Sequence, residues 1–386
     1  MTDKNNFIPY GRQWIDEDDI RAVVGVLKSD WLTQGPKIEE FERQISAYCG
    51  VQHAVVFNSG TSALHGAYFA VGLEKDDEFI TTPLTFVATA NAGVYLGARP
   101  VFVDIQEDTG NIDASKIEPE ISLKTKLVAP VHYAGHPVDL VAISKIAKKH
   151  GLFVVEDACH AMGSMFKGEE TGNCKYSDMT VFSFHPVKHI TTGEGGAVVT
   201  NNPDFYERLL MFRSHGITKR NLIYEPHGEW YYEMQLLGYN YRMTDIQAAL
   251  GASQLRKLDV FVDRRRKIAD TYNEAFAGNP FFDVPVERDY VFSAYHLYPL
   301  RIKDRHRNMK KEIAIALKEK GIGTQVHYVP VYQHPFYREL GYENGLCPVA
   351  EDFYQRELSI PLYPAMSDDE VRYVEKAVSE VFGGFK

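Results

Sequence analysis

Lys188 stands in a polar turn between two apolar, largely β-branched runs, Met179 to Phe184 before it and Ala197 to Thr200 after it. That pattern predicts strand, turn, strand. A lysine held between such walls is partly desolvated. Its pKa then falls toward that of the free amine, a nucleophile able to form a Schiff base. The competing reading is a solvated loop lysine. Asp157 closes a second apolar run, Leu152 to Glu156. A carboxylate there caps the next helix or offers a fixed negative charge past a buried strand. His160 could hydrogen-bond Asp157 or pack over a flat ring held beside it.

Two more stretches share this placement. Ala54 to Phe57 reads as a buried strand, and Asn58-Ser59-Gly60-Thr61-Ser62-Ala63 leads from it into the helical stretch Leu64 to Val71. Small residues at a strand-to-helix turn aim backbone N–H groups and the helix dipole at one spot, which suits a phosphate. A plain capped turn fits the same residues. Neither a P-loop nor a G-x-G-x-x-G fingerprint is present. Phe86 follows Pro83-Leu84-Thr85 at another strand end and could stack on a flat ligand or fill the core. His132 and His136 have H-x-x-x-H spacing, but Gly135 and Pro137 break the helix that a zinc pair needs, so no metal site is expected.

The elements that must position these groups alternate. Strands are expected at 54–57, 79–82, 100–103, 127–131 and 152–156, with helices at 15–27, 37–48, 64–71, 85–95 and 137–150 between or before them. This alternation predicts an α/β fold with a mostly parallel sheet covered on both faces. Ligands of such sheets bind at the carboxyl ends of the strands, where Asn58–Ser62, Asp157 and Lys188 all fall. One long helix is expected over about 245–276, bridging two domains, with Arg264-Arg265-Arg266-Lys267 as its solvated face. The turn-rich Gly278 to Pro285 marks the crossing. A smaller α+β unit follows, with a strand at 295–302, helices at 308–320 and 349–358, an extended stretch at 324–331, and the capping box Ser367-Asp368-Asp369-Glu370 opening the last helix.

Composition bounds the function. The chain has 386 residues, 45% hydrophobic and 24% charged, with a net charge of −10. That balance argues against nucleic-acid binding driven by bulk charge. The cysteines Cys49, Cys159, Cys174 and Cys347 form no C-x-x-C pair, which fits a reducing cytoplasm. Met1 to Tyr10 is polar and lacks the apolar core of a signal peptide, and no apolar run is long enough for a membrane span.

Pyridoxal 5'-phosphate requires a Schiff-base lysine, an acid at its ring nitrogen, a phosphate cradle and a stacking face. Lys188, Asp157, Asn58–Ser62, and Phe86 or His160 supply one candidate for each.

Five motifs carry a family resemblance: Asn58-Ser59-Gly60-Thr61-Ser62-Ala63, Glu156-Asp157-Ala158-Cys159-His160-Ala161, Phe182-Ser183-Phe184-His185 with Lys188, Gly193-Glu194-Gly195-Gly196, and Gly238-Tyr239-Asn240-Tyr241-Arg242-Met243-Thr244-Asp245. In this order, over nearly the whole chain, they resemble the DegT/DnrJ/EryC1/StrS nucleotide-sugar aminotransferases, which are fold-type I pyridoxal-phosphate enzymes. The resemblance implies a large cofactor domain over 1–255, with the segment 1–35 near the active site, and a small C-terminal domain over 256–386. It implies Lys188 as Schiff-base lysine and proton shuttle, Asp157 at the ring nitrogen with His160 beside it, and Phe86 stacked on the ring. Gly60, Thr61, Ser62 and Ser183 would hold the phosphate. Asn240 would reach the phosphate of a neighbouring subunit, making a homodimer with shared sites. Tyr10, Trp31, Thr33, Gln34, His327 and Tyr328 are the implied substrate contacts, with core or interface packing as the alternative for each.

One branch of the family replaces the lysine by histidine and dehydrates its substrate. Lys188, with His189 beside it, favours amino transfer. Phe182 to Lys188, Ile190-Thr191-Thr192 and Trp230-Tyr231-Tyr232-Glu233-Met234 look most like the pseudaminic-acid branch. Its members move the amino group of L-glutamate to C4 of UDP-2-acetamido-2,6-dideoxy-β-L-arabino-hex-4-ulose. Other members aminate C4 or C3 of other UDP, GDP or dTDP keto-sugars.

Overall fold

The strands expected from the alternation assemble into one seven-stranded sheet. They are β1 (His53–Phe57), β2 (Glu78–Thr81), β3 (Arg99–Phe102), β4 (Thr125–Ala129), β5 (Phe153–Asp157), β6 (Met179–Ser183) and β7 (Gly196–Thr200). Their order across the sheet is β1-β7-β6-β5-β4-β2-β3. Only β7 runs against its neighbours. It returns directly from β6 through the Lys188 turn, so no crossover helix is needed there. The computed structural model describes residues 7–384, so most of the Met1–Tyr10 stretch lies outside the described residues. Among the described residues no helix is long and apolar enough to cross a membrane.

Both faces of the sheet are buried, as continuous apolar strands require. Val55, Phe57, Phe79, Leu127, Val155 and Val181 pack beneath α3 (Gly60–Ala70). Val56, Phe182, Ala197 and Val199 face the opposite layer, built with α2 (Pro36–Cys49) and α7 (Asp245–Leu255). The first helix, Glu17–Leu27, is capped by Asp16, which pairs reciprocally with Asp19 in a capping box. A smaller three-stranded antiparallel sheet (Phe282–Asp283, Tyr298–Ile302 and Glu357–Ile360) has its own core, including Ile268, Tyr272, Ile313, Leu317, Val374 and Phe382. Ser367 and Glu370 exchange the expected capping hydrogen bonds at the head of the last helix, Asp368–Gly384.

Four expectations are corrected. The long helix over 245–276 is two: α7 ends at Leu255 and α8 spans Leu258–Ala275. The turn between them is anchored by Lys257, whose Nζ lies 2.7 Å from both Asp16 and Asp19. It turns the chain from the α2 layer toward the C-terminal core. Arg264–Lys267 is not a uniformly solvated face, although Lys267 is exposed. Arg265 is 1% exposed and donates through Nη1 to the carbonyls of Tyr295, His296 and Leu362. Arg266 pairs with Glu287 at 2.6 Å. The helix expected over 85–95 starts only at Ala88, leaving Thr85-Phe86-Val87 as its approach. Gly278–Pro285 itself contributes the strand Phe282–Asp283, and α8 already packs on the same small-sheet core.

Gly251 marks where α7 presses on α2. A Cβ there would lie 2.5 Å from the Phe41 ring and 2.8 Å from Thr192. Gly251→Ala gains about 1 kcal/mol of helix propensity. Overpacking against a fully buried ring costs about 1–3 kcal/mol. A net loss of stability is therefore expected, read as a lower urea midpoint.

Candidate active site

Register brings the cradle to the lysine turn. Gly196 pairs with Phe57 on one side and Ser183 on the other, so β1 and β6 end level across β7. The chain leaving β1 crosses directly over this row. A Cβ on Gly196 would meet Ser59 O at 2.6 Å and Gly60 N at 2.8 Å. A Cβ on Gly60 would meet the Ser183 Cβ at 2.9 Å. Glycine at both positions lets the first turn of α3 sit against Ser183.

Within that turn Ser59 caps α3, and the serines exchange hydrogen bonds. Ser62 N–H donates to Ser59 Oγ and Ser59 N–H donates to Ser62 Oγ, each at 3.1 Å. A helix leaves its first N–H groups without intrahelical partners. The two that the capping box does not use belong to Gly60 and Thr61. They line a cavity of about 830 Å³ together with Ser183, His185 and Glu194. Ser62 is buried, and its hydroxyl is engaged by Asn58 Oδ1 at 2.7 Å. Ser62 is not among the residues that line the cavity, and its hydroxyl is engaged within the turn.

Lys188 and Asp157 line the same cavity. Asp157 is buried at the end of β5. Its Oδ2 accepts from Thr89 Oγ1 at 2.6 Å and its Oδ1 from the Cys159 N–H at 3.1 Å. Thr89 and Thr85 share a further hydrogen bond at 2.8 Å. Phe86, 57% exposed, presents its ring on the cavity wall. Burial lowers the Lys188 pKa below that of an ordinary lysine. Nearby Cys159 and Asp157 oppose this, and the buried Arg265 cation reinforces it. Burial likewise keeps His160, His189 and His296 uncharged, reinforced by the positive charge of Lys188.

His160 does not hydrogen-bond Asp157. Its Nε2 lies 3.0 Å from the Tyr328 hydroxyl, and its ring sits 4.3 Å from that of His296. Tyr10, His327 and Tyr328 line the cavity. Trp31, Thr33 and Gln34 are exposed and outside its wall; Thr33 bridges to Thr244. Asn240 is also exposed and outside it, although its carbonyl accepts from Asn58 Nδ2 at 3.5 Å. His132 donates from Nε2 to Glu156 at 2.7 Å and accepts from Val138 N–H at Nδ1, bracing β5. Among the described residues no group of three or more metal-binding side chains comes together.

Sequence reasoning missed Thr89, His296 and the buried Glu357 and Ser359 behind His327. The spacing of Thr85 and Thr89 would have placed both on one side of the expected helix. Nothing local marked the others.

Residues 13–379 match the DegT/DnrJ/EryC1/StrS aminotransferase family. The chain belongs to this family. It is 42% identical over 99% of its length to the spore coat polysaccharide biosynthesis protein SpsC of Bacillus subtilis, covering 98% of that protein. It is 41% identical to a UDP-4-amino-4,6-dideoxy-N-acetyl-beta-L-altrosamine transaminase of Campylobacter jejuni, covering 97% of each chain. The solved Helicobacter pylori PseC, an aminotransferase involved in the biosynthesis of pseudoaminic acid, superposes with a TM-score of 0.92 at 38% identity, over 98% of this chain and all of that one (100%). The protein is thus a fold-type I, pyridoxal-phosphate-dependent nucleotide-sugar aminotransferase. The residues present fit the cofactor: free cradle N–H groups, a held carboxylate and a desolvated lysine share one cavity.

Thr89→Val removes a donor to Asp157 with little change in volume. Pyridoxal phosphate binding is expected to weaken by about tenfold, the equivalent of one hydrogen bond to a charged group, measured by equilibrium titration. Because the Lys188 pKa is lowered, its free-amine fraction rises at lower pH than that of surface lysines. In the cofactor-free protein, a lysine-directed acylating reagent should therefore label Lys188 at a pH where other lysines are largely protected, read by peptide mass spectrometry.

Proposed function

We propose that this protein moves the amino group of L-glutamate to C4 of UDP-2-acetamido-2,6-dideoxy-β-L-arabino-hex-4-ulose, giving UDP-4-amino-4,6-dideoxy-N-acetyl-β-L-altrosamine for pseudaminic acid biosynthesis. The observation that carries this reading is one cavity, large enough for a nucleotide sugar, holding Lys188, Asp157 and the Gly60–Thr61 cradle together. The full-length likeness to the C. jejuni transaminase supports the choice of sugar. The likeness to SpsC favours a second reading, amination of a different nucleotide keto-sugar on the same machinery.

Pyridoxal phosphate supplies the electron sink for removing the donor's α-proton. Lys188, kept neutral by desolvation once its amine is free, takes that proton in the first half-reaction and returns one to the sugar carbon in the second. Asp157, fixed by Thr89 and the Cys159 N–H, holds the ring nitrogen's proton. Gly60 N–H, Thr61 N–H and the Ser183 hydroxyl would hold the phosphate, and Phe86 would cover the ring. Tyr10, His327 and Tyr328 face the sugar nucleotide. Trp31, Thr33 and Gln34, outside this chain's own cavity, are proposed to contact substrate at the rim or in a partner's site.

We place the enzyme in the cytoplasm, where its four free cysteines stay reduced. The division into a 1–255 cofactor domain and a 256–386 domain is part of the same proposal, supported by the separate core under the small sheet. A homodimer with shared sites is supported by the exposed Asn240 and by the exposed apolar side chains Ile223, Tyr224, Trp230, Met234 and Leu237 beside it in the chain.

Glutamate added to the yellow holoenzyme should convert its visible spectrum to that of the pyridoxamine form, and Lys188→Ala should abolish the conversion. An unchanged wild-type spectrum would sink the aminotransferase reading with this donor. Mass spectrometry across a panel of keto-sugar nucleotides decides the sugar. Lys188→Ala and Asn240→Ala proteins, each impaired, should recover about a quarter of wild-type activity when mixed and reassociated, because half the dimers then carry one intact shared site.

A further inference from the structure

His327 reaches the cavity at the end of a buried hydrogen-bond chain. Ser359 Oγ lies 2.5 Å from Glu357 Oε1 and 2.9 Å from His327 Nδ1. Glu357 Oε2 accepts the backbone N–H of His327 at 2.7 Å. Glu357 and Ser359 are 0% exposed and His327 is 5% exposed. His327 Nε2 makes no hydrogen bond within the described residues, and the residue lines the cavity. A serine hydroxyl has one proton, so this chain can run in only two directions. We propose that Glu357 and Ser359 set the tautomer of His327, and thereby decide whether its ring offers the cavity a hydrogen-bond donor or an acceptor.

With Glu357 protonated, Oε1–H donates to Ser359 Oγ, the serine proton goes to His327 Nδ1, and Nε2 carries the ring proton into the cavity. When Glu357 loses its proton to solvent, Ser359 turns its hydroxyl to the carboxylate. His327 then donates from Nδ1, its Nε2 proton exchanging through the cavity, and Nε2 becomes an acceptor. The ring stays neutral in both states: burial, with Lys188 adding, pushes the His327 pKa down to about 3. Burial raises Glu357 to about 8, against the Ser359 and His327 N–H hydrogen bonds and the positive charge of Lys310. The phenols of Tyr133 and Tyr328 also face Glu357 and stay protonated, and Arg356 is committed to Asp352 and Glu107. Around the His327 ring stand Tyr10, Tyr328, His160 and Lys188. Near neutral pH the ring is therefore a donor, matched to an acceptor oxygen of the bound sugar nucleotide. That last assignment rests on the proposed function; the tautomer switch does not.

The test follows the imidazole nitrogens of His327 by ¹⁵N NMR in the full-length protein, assigned with a His327→Gln variant. The ring proton should sit on Nε2 at about pH 6.5 and on Nδ1 at about pH 9.5, with the change near the raised Glu357 pKa. In Glu357→Gln the amide oxygen takes the His327 N–H and the amide nitrogen donates to Ser359, so Nε2 should keep the proton at both pH values. Ser359→Ala should uncouple the ring from Glu357. A wild-type ring with the same tautomer at both pH values, or a Glu357→Gln protein that switches like wild type, overturns the proposal. In the holoenzyme, KM for the keto-sugar nucleotide should rise by about fivefold to tenfold across this interval, the loss of one hydrogen bond, with kcat little changed and no such rise in Glu357→Gln. A tautomer switch seen by NMR in a protein that aminates no keto-sugar would reject the proposed substrate and leave the switch standing.

Discussion

The site depends on a close approach of backbone to backbone. Phe57, Gly196 and Ser183 lie in one row across three strands, and the chain leaving β1 passes directly over it. Any side chain at residue 196 would collide with Ser59 and Gly60, and one at residue 60 would collide with Ser183. Both collisions would push the first turn of α3 away from the Lys188 turn. The cradle and the lysine therefore share a cavity because two positions carry no Cβ. The reciprocal capping by Ser59 and Ser62 uses two of the donors at that turn and leaves those of Gly60 and Thr61 facing the cavity.

A second constraint is electrostatic. The wall behind Lys188 holds Arg265, buried with its Nη1 on three carbonyls, and His160, His189 and His296, which burial keeps neutral. Burial makes the pocket unfavourable for a further positive charge, and the Arg265 cation adds to this. A lysine there loses its proton more readily than one in water, as a nucleophile and proton carrier requires. Asp157 lines the same cavity, its carboxylate held in place by the Thr89 hydroxyl. Arg265 also links the Tyr295–His296 segment to Leu362, so the same side chain joins the small-sheet region to the cavity wall.

Much of this was legible in the sequence because its signals are local. An apolar run that ends in Asp157, or a Ser-Gly-Thr-Ser turn before an apolar helix, states its own position relative to a strand end, and a parallel sheet then gathers those ends on one edge. What misled was equally local. Arg264–Lys267 reads as a solvated stripe because four cations in succession ordinarily face water, yet Arg265 points inward to carbonyls about 30 and 97 residues away in sequence. The break at Arg256-Lys257 carries no proline or glycine; it is held by Asp16 and Asp19 from the first helix. Ser62 reads as a phosphate ligand from its place in the small-residue turn, and only the capping geometry commits its hydroxyl to Asn58.

The sequence by itself determined the kinds of group present and the strand ends that carry them: a lysine between apolar walls, an acid closing a buried strand, a small-residue turn opening a helix. Those follow from hydrophobic periodicity and from the chemistry of each side chain. Tertiary structure alone decided which groups meet. The Thr89 hydroxyl on Asp157, the Arg265 cation behind Lys188, and the Glu357–Ser359–His327 chain join residues far apart along the chain. Their geometry is set by the register of the sheet and the packing of the two cores, which no local pattern records.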